Sequence, residues 1–174
     1  MFTNASKLIL TGPPGCGKTT LIRKVVELLE CPASGFYTEE VRGTDGKRIG
    51  FDVVTLNGSR GVLSREGLPG PRVGKYGVDL AFLEEVVLTG IEKDRAPLLV
   101  IDEIGKMECF SRPFVKAVRD LLRGPAAVLG TVALSGSPFI REVRTSPTIE
   151  LIEVTLQNRN GLVEEIINRL RIAD

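Results

Sequence analysis

The sequence contains no histidine. Proton transfer therefore falls to Asp, Glu, Lys, Tyr, Cys or water, not to the side chain that titrates nearest neutrality. Cysteine is scarce: Cys16, Cys31 and Cys109 are three among 174 residues, without metal-ligand spacing. An odd thiol count argues against a disulfide framework and fits a reducing compartment. An excess of one charge is also missing, since 23 Lys and Arg face 22 Asp and Glu for a net +1. That balance gives no sign of a broad nucleic-acid footprint or an acidic partner. No apolar stretch approaches the ~20 residues needed to cross a bilayer. The opening Met1 to Lys7 leads only into Leu8-Ile-Leu10, which is no export signal. The expectation is a cytoplasmic monomer, off the membrane, folded as a single domain over residues 1–174.

What is present is enough apolar content, 43%, to build a substantial core. Lys7 to Thr11 reads as a short strand and Gly12 to Gly17 as a loop. A helix follows with Leu21, Ile22, Val25, Val26 and Leu29 at helical spacing, ended by Cys31-Pro32. Gly35 to Arg42 and Arg48 to Leu56 read as extended, joined by a turn at Gly43 to Gly46. Asn57-Gly58 signals a hairpin towards Val62-Leu63. The region 36–64 is thus an antiparallel insertion. Alternation resumes with a helix capped by Asp79, an apolar strand Leu98 to Ile101, and a helix from Ser111 closed by Gly124. A strand over Ala127 to Val132 and a short helix over Pro138 to Val143 follow. A weak strand over Ile149 to Leu156 leads to a last helix capped by Asn160. Strands alternating with helices predict an α/β fold on a mainly parallel sheet.

Gly12-Pro-Pro-Gly-Cys-Gly-Lys-Thr19 matches G-x-x-x-x-G-K-[ST] at every fixed position, between a predicted strand and a predicted helix. Unpaired amides at the helix start, together with the helix dipole, favour a polyphosphate. Pro13 and Pro14 have no N–H and stiffen the first half of the loop. The donors are expected from Gly15, Cys16, Gly17, Lys18, Thr19 and Thr20. Lys18 is expected on the β- and γ-phosphates and the Thr19 hydroxyl on magnesium. Cys16 reads as a small residue, with a low-pKa thiol as the alternative.

Leu98-Leu-Val-Ile-Asp-Glu103 supplies two carboxylates after four apolar residues. Ligands of open α/β sheets sit at that strand edge. Asp102 is the expected magnesium-side acid, and Glu103 the base that orients and polarises an attacking water. The bland alternative is two solvated acids at a strand end. Asp102-Glu-Ile-Gly105 also fits D-x-x-G, but no N-K-x-D accompanies it, which argues against guanine specificity.

With these motifs in view, the chain resembles the small P-loop nucleoside-triphosphatases of the THEP type, also called cancer-related nucleoside-triphosphatases. The resemblance rests on Gly12 to Thr20, on Gly35 to Arg42 with Gly50 to Leu56, on Arg72-Val-Gly-Lys-Tyr-Gly-Val-Asp79, and on Asp102-Glu-Ile-Gly-Lys-Met-Glu108. Asn158-Arg159 also fits. It implies a RecA-like three-layer sandwich extended by antiparallel strands. It also implies Mg2+-dependent hydrolysis of several nucleoside triphosphates, with weak base preference. A second nucleotide-contacting segment is carried onto Leu99, Val100, Ile101, Asp102, Glu103, Ile104, Gly105 and Lys106. The region from Leu134 to Ser146 matches the family poorly and receives no role.

Asn158 and Arg159 could approach the base or ribose, or serve as a helix cap and a solvated arginine. Lys106 could add charge near the γ-phosphate. Arg42, Arg72 and Lys75 lie in glycine-bounded segments, and none is singled out as an arginine finger. Tyr37 and Tyr76 read as packing residues. Two other functions share these motifs. One is a small kinase, with residues 36–76 supplying an acceptor pocket. The other is a nucleotide-controlled switch or a nucleic-acid-linked ATPase module.

Overall fold

A computed structural model describes residues 6–93 and 96–171; the leader reading at residues 1–5 lies outside the described residues. The elements run β1 (Lys7–Thr11), α1 (Lys18–Leu29), β2 (Ala33–Arg42), β3 (Arg48–Thr55), β4 (Arg60–Glu66), β5 (Arg72–Val73) and β6 (Tyr76–Val78). A π turn (Leu83–Val87) then leads into α2 (Leu88–Lys93), followed by β7 (Leu98–Ile104) and α3 (Arg112–Arg123). The chain continues through β8 (Ala127–Val132), α4 (Pro138–Thr145), β9 (Glu150–Glu153) and α5 (Arg159–Arg171). Among the described residues one sheet holds nine strands in the order β5-β6-β4-β3-β2-β7-β8-β1-β9.

The five strands from β2 to β9 in that order pair in parallel. Period-two alternation splits their side chains between two cores. Leu8 and Leu10 face α1 and α5, against Leu21, Ile22, Val25, Leu162 and Ile166. Ile9 faces the opposite layer with Phe36, Ile101, Phe114 and Ile140. Helices on both faces explain why β1, β7 and β8 are apolar almost throughout. The result is the three-layer α/β sandwich with a mainly parallel centre and an antiparallel wing.

The wing is larger than the predicted 36–64. β4 pairs with β6 and β6 with β5, so antiparallel pairing runs on to Val78. β2 joins both halves: its start pairs in parallel with β7, and Phe36 to Arg42 pair antiparallel with β3. Other boundaries also move. β7 continues past Ile101 through both acids. Gly124 closes α3 with its N–H on the Leu121 carbonyl, but at φ −81°, not in the left-handed conformation. α5 begins one residue before Asn160, and the Asn158 carbonyl accepts the Leu162 N–H. The helix expected after Asp79 contains a π turn, whose extra residue brings both Val87 and Leu88 into the core.

Candidate active site

The loop after β1 and the start of α1 form one side of a cleft of about 820 Å³ at the C-terminal edge of the parallel strands. Gly12 has φ +151°, and a Cβ there would sit 2.6 Å from the Val154 carbonyl oxygen. This glycine is required by the close approach of the chain after β9 as well as by the loop's own path. α1 starts at Gly17 without any side-chain cap and without an acid in its first turn. α3 and α4 differ: Ser111 and Ser137 accept from Phe114 and Ile140 N–H. The positive end of α1 is therefore left facing the cleft, as an anion site requires. Lys18 holds its ammonium over the loop, with Nζ donating to the carbonyls of Gly12 at 2.8 Å and Pro13 at 3.2 Å.

Opposite stands the end of β7. Between Ile101 and Ile104 the pairing with β8 shifts register, and the peptide joining Asp102 to Glu103 is cis. The register shift re-aims side chains at the strand end. The Asp102 side chain lies buried under the loop, while Glu103 lines the cleft. Thr19 Oγ1 donates to Asp102 Oδ2 at 2.6 Å, and Thr131 Oγ1, from β8, donates to Oδ1 at 2.7 Å. The Thr38 hydroxyl, from β2, donates to the Asp102 carbonyl at 2.7 Å. Two hydroxyls from segments distant in sequence thus converge on the Asp102 carboxylate, and a third holds its backbone carbonyl.

A third acid joins them. Glu108 is buried, and Thr38 Oγ1 lies 3.5 Å from its Oε1. The Glu103 and Glu108 carboxylates converge over Gly105: a Cβ there would meet Glu108 Oε2 at 2.7 Å and Glu103 Oε1 at 3.1 Å. Burial pushes the Asp102 carboxyl up, against the lowering effect of the Thr19 and Thr131 hydroxyls. Burial and the neighbouring Asp102 raise Glu103, and Lys18 opposes them. Burial, then Glu103, pushes Glu108 up to about 8. Crowded acids with so little water are a setting that a cation relieves. Among the described residues no three His, Cys, Asp or Glu side chains make a metal-ligand set. Magnesium suits such a place, because it uses one or two protein oxygens and completes its shell with phosphate and water. Thr19 and Asp102 fit that role.

The remaining predicted site residues divide by position. Pro14, Gly15, Gly17, Lys18, Thr19 and Thr20 line the cleft, as do Gly105 and Lys106. Cys16 is buried, and its N–H turns back to the Pro13 carbonyl at 3.3 Å, so that amide is committed within the loop. Leu99, Val100, Ile101 and Ile104 take no part in the cleft wall, because all are buried inside the sheet. Asn158 is also committed elsewhere: its Oδ1 accepts from Thr155 N–H, and its Nδ2 donates to the Glu153 carbonyl. It shapes the turn into α5. Arg159 lies against Gly17, its Nη1 3.2 Å from where a Cβ would be. Arg42 pairs with Glu40, Arg72 donates to the Lys75 carbonyl, and Lys75 pairs with Glu66. The 134–146 region does have a place, since Leu134 and Ser135 form one wall of the cleft. Thr38, Glu108 and Thr131 carried no sequence signal by themselves. Thr38 and Glu108 did fall in quoted motifs, and the burial of Glu108 follows from the short 3-10 turn Glu108–Phe110.

A family model described as NTPase matches residues 7–167. The cancer-related nucleoside-triphosphatase homolog of Bos taurus is 48% identical, covering 96% of this chain and 97% of that one. Nucleoside-triphosphatase THEP1 of Thermotoga sp. (strain RQ2) is 45% identical, covering 95% of each. Among solved structures, THEP1 from Aquifex aeolicus superposes with a TM-score of 0.85 at 38% identity, covering 94% of this chain and 98% of that one. The human cancer-related nucleoside triphosphatase does so at 0.82 and 44%, over 98% and 100%. At this identity and coverage, and with the fold shared, the chain belongs to the NTPase family that includes THEP1 and the cancer-related nucleoside-triphosphatases.

Proposed function

We propose that this chain hydrolyses nucleoside 5'-triphosphates to the diphosphate and phosphate, with magnesium and with little preference for the base. The observation that carries the reading is the contact between Thr19 Oγ1 and Asp102 Oδ2 at 2.6 Å. It joins the uncapped start of α1 to the acidic end of β7 in one cleft. The amides at the start of α1 hold the phosphates. Lys18 places its charge on the β- and γ-oxygens. Bound magnesium would neutralise charge on the transferring phosphoryl group, with Thr19 and Asp102 as its protein ligands. Glu103 accepts a proton from the attacking water and orients it towards the γ-phosphorus. Arg159, outside the cleft beside Gly17, offers a flat cation to any base. A guanidinium face does not distinguish one ring from another, which supports broad base use.

A phosphate-release assay with ATP, GTP, CTP and UTP, with and without magnesium, tests the reading. Wild type should turn over all four only with the metal. Glu103→Gln should bind with similar affinity yet lose on the order of 10²–10⁴ in turnover. Undiminished release by that variant would remove Glu103 from the mechanism.

A further inference from the structure

The cleft is longer than triphosphate hydrolysis needs. Beyond Glu103 it continues into the antiparallel wing, where Phe51, Leu63 and Tyr76 form its floor and Leu134 its opposite wall. This extension is built unlike the phosphate end. Arg48 is committed there, with Nη1 donating to Glu40 Oε1 at 2.9 Å and Nε donating to the Tyr76 hydroxyl at 3.1 Å. Its guanidinium carbon lies 5.1 Å from the centre of the Phe51 ring, and the Phe51 and Tyr76 rings meet edge to face at 5.8 Å. Glu40 also pairs with Arg42, and Lys75, whose ammonium lies 5.4 Å from the centre of the Tyr76 ring, pairs with Glu66, so the cations at this end already have partners. Phe51, Leu63 and Leu134 bring apolar side chains to this end, and the Tyr76 hydroxyl is held by Arg48. Apolar walls with a few fixed polar groups are the make-up of a small-molecule pocket.

We propose that this extension is an acceptor subsite for a nucleoside-sized ring compound bearing a hydroxyl, which competes with water for the γ-phosphoryl group. The proposal rests on the phosphate-end reading above. Glu103 and the Thr38–Glu108 pair stand at the boundary between the two halves. There Glu103 serves an alcohol as it serves water. The acceptor oxygen forms a bond to the γ-phosphorus, and the bond from that phosphorus to the β–γ bridging oxygen breaks. The electron pair leaves with the nucleoside diphosphate, and the hydroxyl proton passes to the Glu103 carboxylate. The products are a phosphate monoester and the diphosphate, with no further reactant.

The test uses the full chain with magnesium and γ-labelled ATP, adding adenosine, uridine or benzyl alcohol as probes and separating the labelled products. A labelled monoester of at least one probe is expected, with release of free phosphate reduced to match. Phe51→Ala should shift the partition towards free phosphate by about tenfold, the worth of one aromatic contact. Leu134→Glu should shift it the same way by setting an unpaired charge against the ring. Leu134 is half exposed, so this second substitution leaves the core untouched. Free phosphate from every mixture, with no monoester, would overturn the acceptor subsite and leave hydrolysis standing. Absence of any turnover without probes would instead overturn the hydrolytic reading, and the subsite with it. Monoester formed with an unchanged partition in both variants would place the acceptor elsewhere and end the proposal.

Discussion

Lys18 and Glu103 divide binding from chemistry, and their substitutions should separate accordingly. In the proposed mechanism Lys18 touches the phosphates in the ground state as well as the transition state, so Lys18→Ala should weaken triphosphate affinity more than Glu103→Gln does. Titration of each variant with a non-hydrolysable analogue reads this directly, and equal affinities would contradict the phosphate-loop assignment. Glu108 bears on stability instead. Its carboxyl ionises near 4.5 when unfolded and is pushed up to about 8 in the folded chain. Between those values the folded state holds a proton that the unfolded state has lost. Stability is therefore fully present below about pH 4.5 and falls as pH rises towards 8, by about 1.4 kcal/mol per unit for one proton. Asp102 and Glu103, also raised, push the same way. Glu108→Gln cannot titrate, so urea midpoints from pH 5 to 8 should vary less for it than for wild type. Equal slopes would show that Glu108 does not hold that proton.

At the scale of elements, the sheet sets close limits on what each strand carries. Gly35 in β2 has φ +119°, and a Cβ there would lie 1.9 Å from the Val100 carbonyl oxygen on β7. Gly35→Ala must push apart the strands that bring Thr38 to the Asp102 carbonyl. It should cost about 3 kcal/mol or more and reduce turnover as well. Denaturant unfolding and phosphate release measure both, and a variant as stable as wild type would show that the strands have slack. Strand and helix periods were legible along most of the chain, because β1, β7 and β8 are buried on both faces and α1, α3 and α5 on one. The phosphate loop and its acidic partner were legible because each is a local pattern. The contacts of Thr131 and Thr38 with Asp102 span 29 and 64 residues. They depend on which strands become neighbours, and no local pattern states that order. The wing's extension through Arg72 to Val78 was hidden for a similar reason, since strands of two and three residues are too short to show a period.

At the scale of the molecule, the wing and the parallel centre are not separate bodies. Val53, Leu63 and Val78 from the wing share one core cluster with Phe36, Ile101 and Phe114 from the centre. β2 runs through both. Neither half can expose its side of that cluster without opening the other, so thermal unfolding should be a single transition. The site straddles the same seam, with α1 and β1 on one side, β7 and β8 in the middle and the wing beyond. A magnesium–nucleotide analogue that binds only the folded chain stabilises by RT ln(1 + [L]/Kd), about 2.7 kcal/mol at a hundredfold excess over Kd. Calorimetry with and without that complex should show one peak that moves upward whole. Two peaks, of which only one moves, would mean that the wing unfolds independently and that the ligand holds the parallel centre alone.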